Sequence, residues 1–530
     1  MSNSGTHPHI LVFPFPAQGH MIPLLDLSSQ LCTSDLTITI LITPQNLPIL
    51  NPLLSKHPTI QTLILPFPAH PSIPNAIENL KDLPFHLFPQ MIHNMKQLYS
   101  PILQWFQAHP SPPTAILSDF FLGWTHHLAS ELRIPRIIFS PSGALAVSLA
   151  HFLWRDLPKR EDPNNPNFPI SFPKVPNSPV FPWCHLSFLF RGYMEGNTYL
   201  QFVRDDWLAN IASWGLVVNS FSELEGVYLD HLKKDMGHDR VWAVGPLSPL
   251  EATERGGSSS IPTHELMNWL DNCGDHSVVY ICFGSQAILS NKQMEELAAG
   301  LEASDARFIW CVKEVKGENG CAEFGMVPTG FTDRVVGKGL VIRGWVPQVE
   351  ILRHKSLGVF LTHCGWNSVL EGLVAGVPMI AWPMGADQFI NARLLVEEMG
   401  VAVKVCEGED SIPNSEDVAR VVVESLGENW PIRVRAKELS VAALGAIKEA
   451  RPLSPAVQVT RTVAVPVQEE QQGATIAADI VAPTQTVVAP TVAAPVSLRR
   501  SSRDRRSAMS SDYEVYLNEA TFYILSRVLF

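Results

Sequence analysis

No C-x-x-C pair occurs among the eight cysteines, which are scattered from Cys32 to Cys406. Neither a zinc site nor a disulfide framework is therefore indicated, and reduced thiols in a cytosolic protein are the plain reading. No excess of basic residues exists. The net charge is −12, so the chain carries no global field for nucleic acid or an acidic membrane. No uncharged apolar run approaches the length of a spanning helix. The start, MSNSGTHPH, lacks the basic and apolar regions of a signal peptide. These absences lead to the expectation of a cytoplasmic protein with no membrane insertion. No G-x-G-x-x-G follows a strand-like run, which sets a nicotinamide oxidoreductase aside.

What is present is length and apolar content. The chain has 530 residues, 46% of them hydrophobic, enough for two or three domains with a large core. Short apolar runs alternate with helix-like stretches. His9 to Pro14 reads as a buried parallel strand, followed by Gly19 and a helix from about His20. Further strands are expected at Leu36 to Ile42, Thr59 to Leu65, Thr114 to Ser118, Arg136 to Phe139, Gly215 to Asn219 and Arg240 to Val244. Phe85 to Phe106 reads as one long helical stretch, and Phe120 to Leu132 as another helix. The proline-dense run Glu161 to Pro182 reads as a surface loop.

After a Gly/Ser-containing linker the same logic repeats. Strands are expected at Ser277 to Phe283, Arg307 to Val312, Leu340 to Arg343, Gly358 to Leu361 and in GVAVKV, with helices at Lys292 to Glu302 and Ser415 to Leu426. Such alternation predicts an α/β protein with two Rossmann-like domains facing across a cleft. The expected boundaries are 1–246, a linker at 247–262, and 263–450. Residues 451–530 are rich in Pro, Val, Ala, Thr and Gln at first and are expected to form an atypical, largely disordered tail.

The most informative stretch is Trp345 to Gln388, WVPQVEILRHKSLGVFLTHCGWNSVLEGLVAGVPMIAWPMGADQ. Trp345 offers a flat apolar face for a base. Glu371 is an acceptor able to take two ribose hydroxyls. Gly365 to Ser368 lie between a strand-like and a helix-like run, at a helix N-terminus where backbone N–H groups and the dipole favour phosphate. Asp387 and Gln388 supply acceptors and donors for sugar hydroxyls. Any one of these aromatic or histidine positions alone would read as core packing. Their combination does not.

This stretch resembles, without a gap, the signature box of the plant UDP-glycosyltransferases that act on small molecules. The resemblance implies the GT-B fold and metal-independent, inverting transfer of a sugar from a UDP-sugar to an acceptor hydroxyl. UDP-glucose is then a co-substrate and no cofactor is needed. No D-x-D element, typical of metal-dependent glycosyltransferases of the other major fold, stands at a strand end. By position, His20 matches the family's general base and Asp119 the carboxylate that orients it, both at ends of first-half strands. The implied donor-binding set is Gly19, Ser285, Trp345, Val346, Gln348, His363, Gly365, Trp366, Asn367, Ser368, Glu371, Asp387 and Gln388. Within it Trp345 stacks on uracil, Gln348 and Glu371 reach the ribose, and Trp366, Asp387 and Gln388 hold the sugar. Gln at the last position goes with glucose. Ser142 is a candidate sugar contact. The blocks FPFPAQGHMIPLLDL and SPSGA look most like the branch acting on flavonols and hydroxybenzoates, which implies a small phenolic acceptor; a monomer is expected.

The resemblance stops after about Glu449. The family's closing glycine/serine-rich segment and final helix are not recognisable. Instead LRRSSRDRRSAMSSDYEVYL, with its arginine cluster, resembles part of a copia-type retroelement polyprotein. A chimera that binds UDP-sugar without turnover is the alternative this raises.

Overall fold

The computed structural model describes residues 8–32, 36–247, 260–313 and 324–449. All of them belong to one compact unit. The copia-like block, the expected disordered extension and most of the linker lie outside the described residues.

The apolar runs become strands because parallel sheets are buried on both faces and need continuous Val, Ile and Leu. In the first half these are β1 (His9–Phe13), β2 (Thr37–Ile42), β3 (Gln61–Ile64), β4 (Ala115–Asp119) and β5 (Arg136–Ser140). A short hairpin follows, β6 (Pro169–Ser171) and β7 (Val180–Pro182), and then β8 (Gly215–Val218) and β9 (Val241–Ala243). The second half contributes β10 (Val278–Cys282), β11 (Arg307–Val312), β12 (Gly339–Arg343), β13 (Leu357–Thr362), β14 (Met379–Ala381) and β15 (Ala402–Lys404).

Two parallel sheets result, ordered β3-β2-β1-β4-β5-β8-β9 and β12-β11-β10-β13-β14-β15. Each order reverses beside its first strand, where open α/β sheets leave a crevice at the carboxyl ends. Alternation along β1 sends Ile10 and Val12 to one core, with Met21 and Leu24, and Leu11 and Phe13 to another. That second cluster runs continuously from the first sheet through Trp366 to Tyr280 and Phe360 of the second. The halves therefore share a core.

Three expectations are corrected. Phe85 to Phe106 is not one helix. It breaks into 3-10 turns at Phe85–Leu87 and Lys96–Leu98 and helices Phe88–Met95 and Tyr99–Ala108. Pro101 has no N–H to give the carbonyl four residues back, so the preceding turn tightens. Phe120 to Leu132 likewise opens with a 3-10 turn, Phe120–Leu122, before the helix Thr125–Leu132. The proline-dense run is not plain loop, because it contains the antiparallel pair β6–β7. Its end positions pair Pro169 with Pro182, where an isolated hairpin needs no ladder N–H. Buried Ile170, Phe172 and Phe181 anchor it.

The last described helix, Pro431–Glu449, packs on the helix Trp366–Ala375 and also touches the first-half helix Ser222–Met236. No helix among the described residues is long and apolar enough to cross a membrane.

One buried charge holds the floor of the first half. Arg136, 1% exposed, donates to Ser118 Oγ at 2.9 Å, Asn210 Oδ1 at 2.6 Å, Ser213 Oγ at 2.9 Å and the Asp119 carbonyl at 3.1 Å. Burial lowers its pKa to about 10, opposed by Asp206 and Asp119, so it remains charged at neutral pH. Removing it leaves these acceptors unpaired inside the core. Arg136→Met should lose roughly 3–5 kcal/mol of stability, read as a fall in melting temperature by circular dichroism. An unchanged melting temperature would contradict that role.

Candidate active site

The residues singled out in the sequence converge on the carboxyl ends of the two sheets. In the first half, His20 lies in the opening turn of the helix Gln18–Leu31 after β1, Asp119 is the last residue of β4, and Ser142 lies in the turn after β5. The β1–β4 pairing brings the first two together although 99 residues separate them. His20 Nδ1 lies 2.8 Å from Asp119 Oδ2. A carboxylate only accepts, so Nδ1 carries the hydrogen, which in a neutral ring leaves the lone pair on Nε2.

Asp119 is fully buried and fixed on further sides. Its Oδ1 accepts from the Phe121 N–H at 2.9 Å, and Arg136 holds its carbonyl. The imidazole stacks on Phe121 at 5.1 Å and meets Phe120 and Phe15 edge-on at 5.4 and 5.7 Å. Aromatic contact continues from Phe121 to Phe88 and then to Phe188 and Phe85, giving an apolar wall beside the imidazole.

In the second half the loop after β10 turns at Gly284, with φ of 73°. A Cβ there would lie 2.6 Å from His363 Nε2, and one at Gly365 would lie 2.4 Å from the same atom. Only glycine admits the ring on both sides. Ser285 follows on this loop. Burial lowers the His363 pKa to about 4, so the ring is neutral at physiological pH.

The helix Trp366–Ala375 begins here with Gly365 as its N-cap. The N–H groups of Trp366, Asn367 and Ser368 precede the first intrahelical bond and gather partial positive charge. Gln348 donates to Ser368 Oγ at 3.1 Å and Glu371 Oε2 at 2.7 Å, and accepts from Tyr280 Oη at 3.0 Å. That network orients Glu371. Trp345, half-buried, follows β12 at its carboxyl end, and Val346 after it is buried, its carbonyl accepting from the Gln348 N–H at 2.8 Å.

Asp387 and Gln388 follow β14. Burial pushes the Asp387 carboxyl above the usual carboxylate range, against hydrogen bonds from the Ser142 and Asn391 side chains and the nearby His20 imidazole. The end of the signature stretch therefore faces both Ser142 and His20 across the cleft. Gln388 Oε1 accepts from the N–H groups of Met384 and Gly385 at 2.9 and 3.0 Å. Asn367 Nδ2 donates across the cleft to the Gly19 carbonyl at 3.0 Å.

Trp366, expected among the residues that hold the sugar, has its side chain buried between the halves. The residue is 4% exposed, and its indole N–H donates to the Asn219 carbonyl at 2.7 Å. The side chain forms the seam between the halves.

The sequence reading missed three residues behind this seam. They are Asn219, Gly143 and Glu225. A Cβ at Gly143 would sit 2.7 Å from both the Trp366 ring and a Glu225 carboxylate oxygen. Glu225 accepts from the N–H groups of Ala144 and Leu145, each at 2.8 Å, and from Ser220 Oγ at 2.6 Å. It caps the helix Ala144–Asp156 from a distance. Burial raises its pKa. The missing local N-cap side chain in SPSGA was the available signal. Among the described residues no group of three or more His, Cys, Asp or Glu side chains is arranged to hold a metal ion.

The family described as "UDP-glucoronosyl and UDP-glucosyl transferase" matches residues 258–455. The chain is 56% identical to UDP-glycosyltransferase 89B2 of Stevia rebaudiana over 449 residues, covering 84% of this chain and 95% of that one. It is 51% identical to the flavonol 3-O-glucosyltransferase UGT89B1 of Arabidopsis thaliana, covering 84% and 94%. The crystal structure of Arabidopsis thaliana UGT89C1 complexed with UDP-L-rhamnose superposes with a TM-score of 0.69 at 40% identity, over 84% of this chain and 96% of that one. That protein has also been solved with quercetin. With two Rossmann-like sheets, a paired histidine and aspartate, and a continuous signature stretch, the chain belongs to the plant UDP-glycosyltransferases and is a hexosyltransferase of GT-B fold.

Proposed function

We propose that this enzyme transfers glucose from UDP-glucose to a hydroxyl of a flavonol or related small phenol, with inversion at the anomeric carbon. The observation that carries the reading is the 2.8 Å contact between His20 and Asp119, set within electrostatic reach of Asp387. Residues 1–246 would hold the acceptor and 263–450 the donor.

In this reading the acceptor hydroxyl gives its proton to His20 Nε2. Its oxygen attacks the anomeric carbon as the bond from that carbon to the diphosphate breaks, and UDP leaves with the bonding electrons. Asp119 keeps the reactive tautomer and stabilises the imidazolium that forms. The helix N-terminus at Gly365 to Ser368, with Asn367, neutral His363 and Ser285, would take the charge that develops on UDP. These preorganised dipoles do the work of a divalent cation. Trp345 would stack on uracil while Gln348 and Glu371 meet the ribose. Asp387 offers acceptors to the sugar. The Gln388 carbonyl is already engaged, so its amide N–H groups are what it has for a sugar hydroxyl.

The acceptor class is supported by relatives. One at 51% identity is named a flavonol 3-O-glucosyltransferase and one at 40% a flavonol 7-O-rhamnosyltransferase. The higher identity lies with the glucosyl relative, and Gln388 agrees with glucose.

The test is incubation of the full chain with a panel of flavonols and hydroxybenzoates, using UDP-glucose and UDP-rhamnose in separate reactions. Mass spectrometry should detect a hexoside with UDP-glucose. A rhamnoside alone would reject the donor assignment, and UDP binding with no product would reject turnover. His20→Ala should lower kcat/KM by about 10²–10⁴ with UDP affinity, measured by calorimetry, unchanged. Asp119→Asn should fall in the same range through the lost tautomer control. Gln388→His removes the acceptor for Met384 and Gly385. It should raise KM for UDP-glucose more than it weakens UDP binding, and an unchanged donor profile would take Gln388 out of the sugar site.

A further inference from the structure

The β6–β7 hairpin belongs to neither parallel sheet. Its loop, its second strand and the turn after it nevertheless contact one element of the second half, the helix Gln388–Arg393 and the π-helical turn Leu394–Glu398 that continues it. Contact is made at three levels along that element. His185 lies flat on Phe389, with ring centroids 4.0 Å apart and planes 5° from parallel. One turn on, Arg393 donates from Nη1 to the Val180 carbonyl at 2.9 Å, and its guanidinium stands 5.2 Å from the centre of the Phe181 ring. Further along, Glu398 accepts from Asn177 at 3.2 Å and from the Tyr228 hydroxyl at 2.8 and 2.7 Å.

Phe389 and Arg393 are four residues apart, so they share one face of the helix. That face is pinned to the first half. Gln388, the neighbour of Phe389, opens the same helix and also fixes the loop at Met384 and Gly385. A small rotation of the helix would move Gln388 and Asp387 together. Misplacement by about 1 Å is enough to degrade a binding geometry. Burial lowers the His185 pKa, which favours the neutral ring and a stack made by ring contact.

We propose that His185, through its stack on Phe389, is a positioning residue for the donor sugar, by which the first half sets where Gln388 and Asp387 meet the sugar. This rests on the reading of Gln388 as a sugar contact.

The experiment is steady-state kinetics with UDP-glucose, alongside UDP affinity by calorimetry, for His185→Ala, His185→Phe and Gln388→Ala in the full chain. Loss of an aromatic pair should raise KM for UDP-glucose about threefold to tenfold in His185→Ala, with UDP affinity unchanged. His185→Phe, which keeps the stack, should return KM to near the parent value. The proposal is overturned if His185→Ala leaves KM unchanged, if both His185 variants behave alike, or if UDP affinity falls in step with KM, which marks a merely structural role. Gln388→Ala separates two failures. If it raises KM while His185→Ala does not, positioning by His185 is wrong. If it leaves KM unchanged, the sugar contact itself is wrong.

Discussion

The hydrogen bond from the Trp366 indole to the Asn219 carbonyl, at 2.7 Å, is the joint on which the site depends. Trp366 is the first residue of the helix that opens at Gly365. Its ring also presses on Gly143, the residue after Ser142. One side chain therefore sets the N-terminus of that helix in the second half against the turn that carries Ser142 in the first. The backbone on the first-half side is itself held, because Glu225 caps the helix that Gly143 begins. Without that register, His20 and Asp387 would be separate groups on separate sheets. With it, they share one cleft.

The electrostatics of this cleft rest on short-range dipoles. The chain carries a net charge of −12, which opposes a dianionic ligand at long range. His363 is neutral because burial lowers its pKa to about 4. The favourable terms are the helix N-terminus and neutral amide and hydroxyl donors, which act over one turn. Such groups are held in place by the fold itself. The first half works in the complementary way. A buried carboxylate, tied at both oxygens, orients one imidazole among aromatic rings.

Much of this was legible in the chain, for identifiable reasons. The signature stretch was readable because its groups lie along consecutive β/α turns, where local spacing dictates which residues reach the carboxyl ends of strands. The buried strands were readable because continuous apolar runs have few alternatives. The hairpin at 169–182 was hidden by its prolines, which normally mark loops but here sit at the ends of a ladder that needs few N–H groups. The break in 85–106 was hidden because its apolar pattern is helical while Pro101 interrupts the hydrogen bonds. Trp366 matched the family pattern, yet its burial against Asn219 could not be read from spacing.

The sequence by itself determined the α/β alternation and the strand end near which each candidate group stands, since these follow from local periodicity and turn chemistry. The tertiary structure decided which groups meet. His20 and Asp119 are 99 residues apart, Trp366 and Asn219 147, and Asn367 and Gly19 348. No local preference spans such distances. The core shared by the two halves is what fixes them, because close-packed side chains admit only one register between the halves.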